Sequence, residues 1–125
     1  MSRDPRKLRV FIKADGLAIR IYQATNDFPR EERYGLQSQI RRAAVSVACN
    51  IVEGSARSGH RGYLHFLNTA LASAYETRYL VDLCARLSFL PLDRSRELAT
   101  EYDQLCRGVQ MLINRIQELA ERQGF

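Results

Sequence analysis

The chain has 125 residues, of which 46% are hydrophobic and 26% charged, as in ordinary globular proteins and unlike disordered ones. Its 3 prolines and 7 glycines are too few for a β-sandwich or barrel built on many turns. The formal net charge is +5, and nearly all of the positive charge is arginine because Lys7 and Lys13 are the only lysines. Arginine suits phosphate recognition, although a base-composition bias in the genome predicts the same excess.

The N-terminal segment is charged and lacks the apolar core of a signal peptide. No apolar run approaches the roughly 20 residues of a membrane span. We therefore expect one cytoplasmic domain covering residues 1–125, with no membrane association. Three widely spaced cysteines, Cys49, Cys84 and Cys106, form no metal-binding or redox motif, and we expect each to be a small buried hydrophobe.

The first helix is predicted to begin near Asp4 and Pro5, which resemble a cap residue followed by a first-turn proline. It should end near residues 25–27, because Pro29 disfavours helical geometry at Phe28. Phe28 is then expected to close that end of the core. The predicted apolar stripe of this helix consists of Leu8, Phe11, Ile12, Ala18, Ile19 and Tyr22.

The second helix is predicted to follow the polar segment 30–34 and to run to about Ala56. Apolar residues recur along it at helical spacing, which predicts one buried stripe. The loop after it is marked by Ser58, Gly59 and Gly62. The stripe consists of Leu36, Ile40, Ala43, Ala44, Val47 and Ile51.

The third helix, from Tyr63 to about Ser88, is apolar over more than one stripe, with Tyr75 and Tyr79 beside it. Such a helix is covered on several sides, either by another copy of the chain or by a central place in its own core. Its apolar residues are Leu64, Phe66, Leu67, Ala70, Leu71, Ala74, Leu80, Val81, Leu83, Cys84 and Leu87.

The fourth helix is predicted to follow Pro91, with Asp93 or Ser95 as its cap. Its apolar residues recur at intervals that alternate between three and four. Four helices with short connections predict an all-α, antiparallel up-down-up-down four-helix bundle. The apolar residues of this helix are Leu98, Tyr102, Leu105, Val109, Leu112, Ile116 and Leu119.

Enzyme and metal motifs are missing from the sequence. Di-iron bundles need a carboxylate three residues before a histidine on each of two helices, whereas Arg57 and Gly62 hold those positions before His60 and His65. No Walker, Rossmann or nucleophile-elbow motif is present. We expect no catalytic residue, no metal site and no cofactor.

Four polar residues lie within the predicted second and third helices. Asn50 and Glu53 are three residues apart on the second, as are Ser73 and Glu76 on the third, and antiparallel neighbours would bring the pairs together. They predict either a ligand or partner site, or a buried hydrogen-bond network that fixes helix register. If the network is buried, Glu53→Ala is expected to destabilise the fold.

The basic residues Arg41, Arg42, Arg57 and Arg61 form two of the densest local groups. In a symmetric oligomer such groups repeat around an axis and can build a continuous surface for phosphates, with RNA as the expected target. No motif of base-specific recognition is present. The alternative is a scaffold that binds another protein and has no nucleic-acid role.

Residues 34–36 (YGL), 38–47 (SQIRRAAVSV) and 50–54 (NIVEG) resemble the four-helix bundle proteins of the 23S ribosomal RNA intervening-sequence family. Residues 28–29, 63–67, 70 and 73–77 are also similar to that family's pattern. Asn50, Glu53 and Glu76 match its signature positions. One departure is Ala48, where the family commonly has proline, so the second helix here is expected to be straighter or kinked by other means.

This resemblance implies a small bacterial cytosolic protein, encoded within ribosomal RNA intervening sequences or as a free-standing gene. It also implies a homopentamer of antiparallel four-helix bundles. The family is similar to the accessory protein of diversity-generating retroelements, a pentameric basic bundle that binds nucleic acid and a reverse transcriptase. The resemblance implies no catalytic residues.

Overall fold

The computed structural model describes residues 4–123, which form four α-helices, two short 3₁₀ helices and no β-strand. The 3₁₀ helices are Pro5–Lys7 and Arg30–Glu32. Helix α1 packs against α2 and α4, and α3 packs against the same two helices. No helix within residues 4–123 combines the length and the apolar character needed to cross a membrane. The α-helices are α1 (Arg9–Ala24), α2 (Leu36–Ser55), α3 (His60–Arg86) and α4 (Leu92–Arg122).

The two ends of α1 differ in how well the sequence predicts them. The Asp4 carboxylate accepts a hydrogen bond from the Arg6 N–H at 3.0 Å, but it caps the first 3₁₀ helix, and α1 starts only at Arg9. The other end agrees with the prediction, since α1 stops before Thr25. Phe28 is buried there, with its ring centroid 5.5 Å from that of Phe89. Phe28 therefore closes this end of the core.

Three further helix starts are set by local hydrogen bonds and backbone geometry. Glu32 accepts a hydrogen bond from the Leu36 N–H at 3.0 Å, which satisfies one of the exposed donors at the start of α2. Helix α3 begins at His60, three residues before the predicted start. Asp93 and Ser95 do not cap α4, because the helix begins at Leu92 and both residues lie inside its first turn.

The core faces of α2 and α4 agree closely with the sequence pattern. Every predicted apolar residue of α2 is buried except Leu36, which is half-buried. In α4 the predicted Leu112 and Leu119 are half-buried, and the unpredicted Ile113 is buried. Regular spacing at three and four residues therefore identifies the buried face where a helix has only one apolar stripe. The confirmed residues of α4 are Leu98, Tyr102, Leu105, Val109 and Ile116.

Half of the predicted apolar stripe of α1 is wrong, because Ile12, Ile19 and Tyr22 are exposed. The other half, Leu8, Phe11 and Ala18, is half-buried against the core. The residues that α1 buries are Ala14, Leu17 and Ile21, whereas Ile12 and Ile19 are 58% and 54% exposed. Helix α1 carries apolar residues on two faces, and the packing of α2 and α4 decides which face enters the core. The second face stays on the surface of the subunit.

Helices α2 and α3 approach each other closely at Gly54. A Cβ atom at this position would lie 3.1 Å from the Phe66 Cβ and 3.1 Å from the Tyr63 Cδ1. Tyr63 is fully buried. The absence of a side chain at Gly54 lets the Tyr63 ring pack directly against the backbone of α2. Helix α2 itself runs unbroken across Ala48.

Helix α3 packs against both α2 and α4 in the core. Its buried residues face α2 and α4, while Tyr75 and Tyr79 are exposed. Much of its apolar surface is therefore covered within its own subunit. The residues that confirm the prediction are Leu67, Ala70, Leu71, Ala74, Leu80, Val81 and Cys84.

The cysteines agree with the prediction at two of three positions. All three thiols are free, and Cys84 and Cys106 are buried, but Cys49 is exposed on α2. Burial raises the pKa of the Cys84 thiol to about 11 and also raises the pKa of Cys106. The thiolate is the reactive form of cysteine. Cys49 is therefore the most accessible thiol of the three for reagents.

Candidate functional site

A small polar cluster joins α2 to α3. The Ser46 and Ser73 hydroxyl oxygens lie 2.8 Å apart, within hydrogen-bond distance. The Asn50 side-chain amide donates to the Ser46 carbonyl oxygen at 2.8 Å and to the Ser46 hydroxyl at 3.0 Å. Two of the four predicted polar residues, Asn50 and Ser73, are thus connected, and the connecting residue is Ser46.

Glu53 and Glu76 do not belong to this cluster, which corrects the prediction that all four residues share one buried network. Both are exposed in the subunit. The reason is the register of the two helices: Ser46 meets Ser73, and further along α2 Gly54 meets Phe66, which precedes Ser73 in α3. Moving from Asn50 to Glu53 therefore leads away from Glu76.

Glu53→Ala is expected to change the free energy of unfolding of the subunit by less than about 0.5 kcal/mol. The Glu53 side chain is 57% exposed, and its ion-pair partner among residues 4–123 is Arg57, just past the end of α2, at 3.1 Å. Thermal unfolding at a protein concentration that leaves the chain monomeric measures this. Asn50→Ala is the comparison, since it removes bonds to Ser46 and should cost about 0.5–1.5 kcal/mol. An equal or larger loss for Glu53→Ala contradicts the interpretation.

Arg41 is committed to holding α2 against the end of α1. Its Nε donates to the Thr25 hydroxyl at 2.8 Å, and its Nη2 donates to the Tyr22 carbonyl oxygen at 3.1 Å and to the Asn26 side-chain oxygen at 3.2 Å. The guanidinium carbon also lies 4.5 Å from the centroid of the Tyr22 ring, a cation–π distance. Arg41 is therefore a structural residue as well as a member of the basic group.

The other three predicted arginines differ in their surroundings. Arg57 pairs with Glu53 and lies 4.6 Å from the centroid of the Phe66 ring. Arg42 and Arg61 are exposed, and neither forms an ion pair with any residue between 4 and 123. Of the four predicted arginines, only Arg57 pairs with a carboxylate of residues 4–123, and Arg42 and Arg61 are the two that are both unpaired and exposed.

These arginines do not form one patch on a single chain. Arg41 and Arg42 lie near the start of α2, whereas Arg57 and Arg61 lie past its end and in the first turn of α3. The part of α2 from Arg41 to its end at Ser55 spans about 14 residues at about 1.5 Å each, which separates the two groups by roughly 20 Å. One subunit therefore presents two basic groups, at opposite ends of α2.

The Arg41–Arg42 group borders a surface hollow of about 270 Å³, which we call the Arg–Tyr hollow. Two of its residues, Arg33 and Tyr34, were missed by the sequence analysis. The Arg33 guanidinium carbon lies 5.6 Å from the centroid of the Tyr34 ring. The sequence signal that could have identified these two residues is an arginine directly followed by a tyrosine in the connection that ends at Gly35. The hollow is lined mainly by Tyr22, Arg33, Tyr34, Gln37, Arg41 and Arg42.

A few other basic side chains pair with carboxylates, among them Arg78 and Lys13. Arg78 on α3 lies 2.6 Å from the Asp82 carboxylate and 3.0 Å from that of Asp103 on α4. Burial opposes its charge, but the hydrogen bonds to the two aspartates raise its pKa overall. Lys13 on α1 donates to Glu101 on α4, and this hydrogen bond lowers the pKa of the Glu101 carboxyl. These pairs link helices within the subunit.

Within the part of the chain that the structure describes, no three histidine, cysteine, aspartate or glutamate side chains come close enough to hold a metal ion. His60 lies at the start of α3 and His65 is exposed on the same helix. The chemistry that the surface offers is arginine, tyrosine and amide groups. Such groups bind phosphates, planar rings and peptide backbone.

The helices and the surface define the class of protein: an all-α helical bundle whose exposed basic groups are made of arginine. The chain belongs to the 23S rRNA-intervening sequence protein family, whose sequence model matches residues 6–111. No curated protein matches the sequence.

A solved structure supports the fold. It is a protein of unknown function from the S23 ribosomal protein family of Bacteroides thetaiotaomicron VPI-5482. The two structures align with a TM-score of 0.77 at 21% sequence identity, covering 91% of this chain and 99% of that one. At this identity the likeness shows the fold alone.

Proposed function

We propose that the protein is a non-enzymatic, homo-oligomeric bundle that binds RNA through arginines repeated on its surface. The observation that carries the proposal is the pair of exposed arginines, Arg42 and Arg61, in a chain of net charge +5. Neither forms an ion pair with a carboxylate of residues 4–123. Exposed guanidinium groups bind phosphates and release counterions, with little discrimination between bases. The family to which the chain belongs is consistent with an RNA-related role.

We also propose the up-down-up-down topology for the bundle. Contacts between neighbouring helices support it because they pair early residues of one helix with late residues of the next. Val10 of α1 lies near Gly108 of α4, while Arg20 lies near Glu97. The order of the contacts is reversed in α4 relative to α1, as it is between α2 and α3.

Self-association is supported by apolar surface that one subunit leaves exposed. A groove of about 330 Å³ between α1 and α2, the α1–α2 groove, is lined by Phe11, Asp15, Ala18, Val45, Ala48, Cys49, Val52 and Glu53. Ile12 and Ile19 are exposed on α1 as well, and a surface of this kind marks an interaction site.

A second apolar surface, formed by Tyr75 and Tyr79, lies on a different helix, α3. Two unlike surfaces that meet head to tail form a ring when the rotation between neighbouring subunits closes. A ring of five subunits is the assembly that the family resemblance implies. It would place copies of Arg42 and Arg61 around one axis. We place it in the cytoplasm, where the three unpaired thiols stay reduced.

Cys49 is expected to report on this assembly through its reactivity. It is exposed in the α1–α2 groove of one subunit, so a second copy covering that groove should slow its alkylation. The measurement is the labelling rate by mass spectrometry across the protein concentrations over which sedimentation shows assembly. Cys84 and Cys106 serve as internal controls that stay unlabelled while the chain is folded, since both are buried. A Cys49 rate that does not change with assembly contradicts the use of this groove.

Binding of labelled single-stranded RNA to the assembled protein at low salt, beside DNA of the same length, tests the RNA proposal. Submicromolar binding that weakens with salt supports it, and no binding at low salt overturns it.

The second candidate function is a scaffold for another protein, which the α1–α2 groove favours. The scaffold function is supported if the purified chain binds no RNA and if one other protein still co-purifies with the chain after nuclease treatment.

A further inference from the structure

We propose that the Arg–Tyr hollow is a site for one unpaired nucleotide of a single-stranded RNA, with Tyr34 stacking on the base and Arg33 and Arg42 contacting the phosphates. This inference rests on the proposed RNA binding and adds to it a strand type and a recognition site. It assigns a role to two residues, Arg33 and Tyr34, that the basic groups of the sequence do not include.

Exposed tyrosines set the hollow apart from the other basic group, whose aromatic neighbour Phe66 is half-buried. Tyr34 is 87% exposed and lies in the short connection before α2, and Tyr22 forms another part of the lining. A tyrosine side chain as exposed as this one buries little apolar surface in the fold. Aromatic side chains beside a basic groove are the usual platform for bases of single-stranded nucleic acid, because every base offers a π-face.

The charge of the hollow suits a phosphate. Three arginines line it and no carboxylate does. The carboxylate of Glu32, which is near in sequence, is engaged with the Leu36 N–H at 3.0 Å. Arg33 and Arg42 form no ion pair with a described residue, so both guanidinium groups are available to a ligand.

The walls of the hollow are held in place before any ligand binds. Arg41 is fixed by hydrogen bonds to Thr25, Tyr22 and Asn26. The Gln37 amide donates to the Thr25 carbonyl oxygen at 2.8 Å, which ties the first turn of α2 to the end of α1. A rigid wall lowers the conformational cost of binding.

The size of the hollow favours a segment of a strand over a free small molecule. Its volume of about 270 Å³ is below the roughly 300–1,000 Å³ of pockets that enclose a whole ligand. It is therefore suited to hold part of a longer molecule. An unpaired strand offers its bases for stacking, whereas a duplex keeps them stacked inside the helix.

The first test is the affinity of the assembled protein for a short oligouridylate and for its duplex with oligoadenylate. Tyr34→Ala is expected to weaken single-strand binding by roughly 5- to 150-fold, the range of losses for one stacked base, and to leave duplex binding unchanged. Tyr34→Phe keeps the ring and is the matched control, with affinity near that of the natural chain. Equal single-strand affinity for Tyr34→Ala and the natural chain overturns the site.

A second readout uses fluorescence, since the chain contains no tryptophan. In Tyr34→Trp, stacking of a base on the new ring should quench its emission when oligouridylate binds. The site is supported if oligouridylate quenches the emission and if adding Arg33→Gln or Arg42→Gln weakens that quenching. Saturable binding without quenching contradicts the site. Uridine monophosphate at the same nucleotide concentration tests whether the ligand is a strand or a free nucleotide. Equal quenching by the mononucleotide would overturn the strand proposal.

The outcomes separate this site from the general RNA proposal. If the natural chain binds neither single strands nor duplexes at low salt, both proposals fail. If it binds RNA with steep salt dependence while Tyr34→Ala binds single strands normally, only the nucleotide site fails.

Discussion

Tyr63→Ala is expected to lower the free energy of unfolding by about 3–5 kcal/mol, the range for removing a large aromatic side chain from a core. Tyr63 is fully buried at the start of α3, and its ring lies against the backbone of α2 at Gly54. The substitution leaves a cavity between two helices that rigid neighbours on both sides cannot fill. Denaturant unfolding followed by circular dichroism measures the loss. A loss below about 1 kcal/mol, within the range of an ordinary surface change, would contradict this packing.

Tyr34→Ala is the matched control, because it removes the same side chain from a position that is 87% exposed. It should change the free energy of unfolding by less than about 0.5 kcal/mol. The same measurement shows that the variant used to test the nucleotide site is folded. Both variants are compared at one protein concentration, since assembly of the chain adds concentration-dependent stability.

The fold is predictable from the sequence where each helix has one apolar stripe. The stripe of α2 from Ile40 to Ile51 and the repeat of α4 leave little choice of buried face, and proline marks the end of the first helix region and the start of the last. Helix α1 is different, because Ala14, Leu17 and Ile21 compete with Ile12 and Ile19 for the core. Only the positions of α2 and α4 decide between the two faces.

The apolar face of α1 that stays outside the core, with Ile12 and Ile19, is a surface available for assembly that the sequence pattern does not indicate. The sequence pattern places the excess apolar surface on α3, but α2 and α4 cover most of that helix. Exposed apolar side chains also lie on α1 and along α2 at Val45 and Val52, in addition to Tyr75 and Tyr79 on α3. Helical periodicity counts the apolar faces of one helix and contains no information on how many of them its neighbours cover.

The candidate sites show a similar limit. Spacing places Asn50 and Glu53 on one side of α2, but the register with α3 is set by packing at Gly54 and by the contact of Ser46 with Ser73. This register places Glu53 opposite Phe66, about ten residues of α3 away from Glu76. The sequence does show that arginine dominates the charge, yet only the structure shows that Arg41 is engaged by three partners while Arg42 is not.

The affinity of the assembled protein for single-stranded RNA is expected to fall steeply as salt rises. A single strand that contacts six to ten arginines loses roughly 300- to 15,000-fold in affinity between about 50 and 200 mM salt, because each phosphate contact releases counterions. In the proposed oligomer, Arg42 and Arg61 would be repeated in every subunit, which would supply so many contacts from a chain of modest charge. Fluorescence anisotropy with a labelled strand across a salt series measures the slope of log affinity against log salt.

Arg42→Gln and Arg61→Gln are each expected to reduce this slope by about 0.7 for every phosphate of a single strand that the variant no longer neutralises. Arg20→Gln is the matched control: it removes the same charge from a partly exposed guanidinium that lies 4.0 Å from the Glu97 carboxylate, and the slope should stay the same. The comparison separates a surface on which particular arginines contact phosphates from general attraction by net charge. If all three variants reduce the slope equally, net charge alone drives binding, and the placement of Arg42 and Arg61 has no part in it.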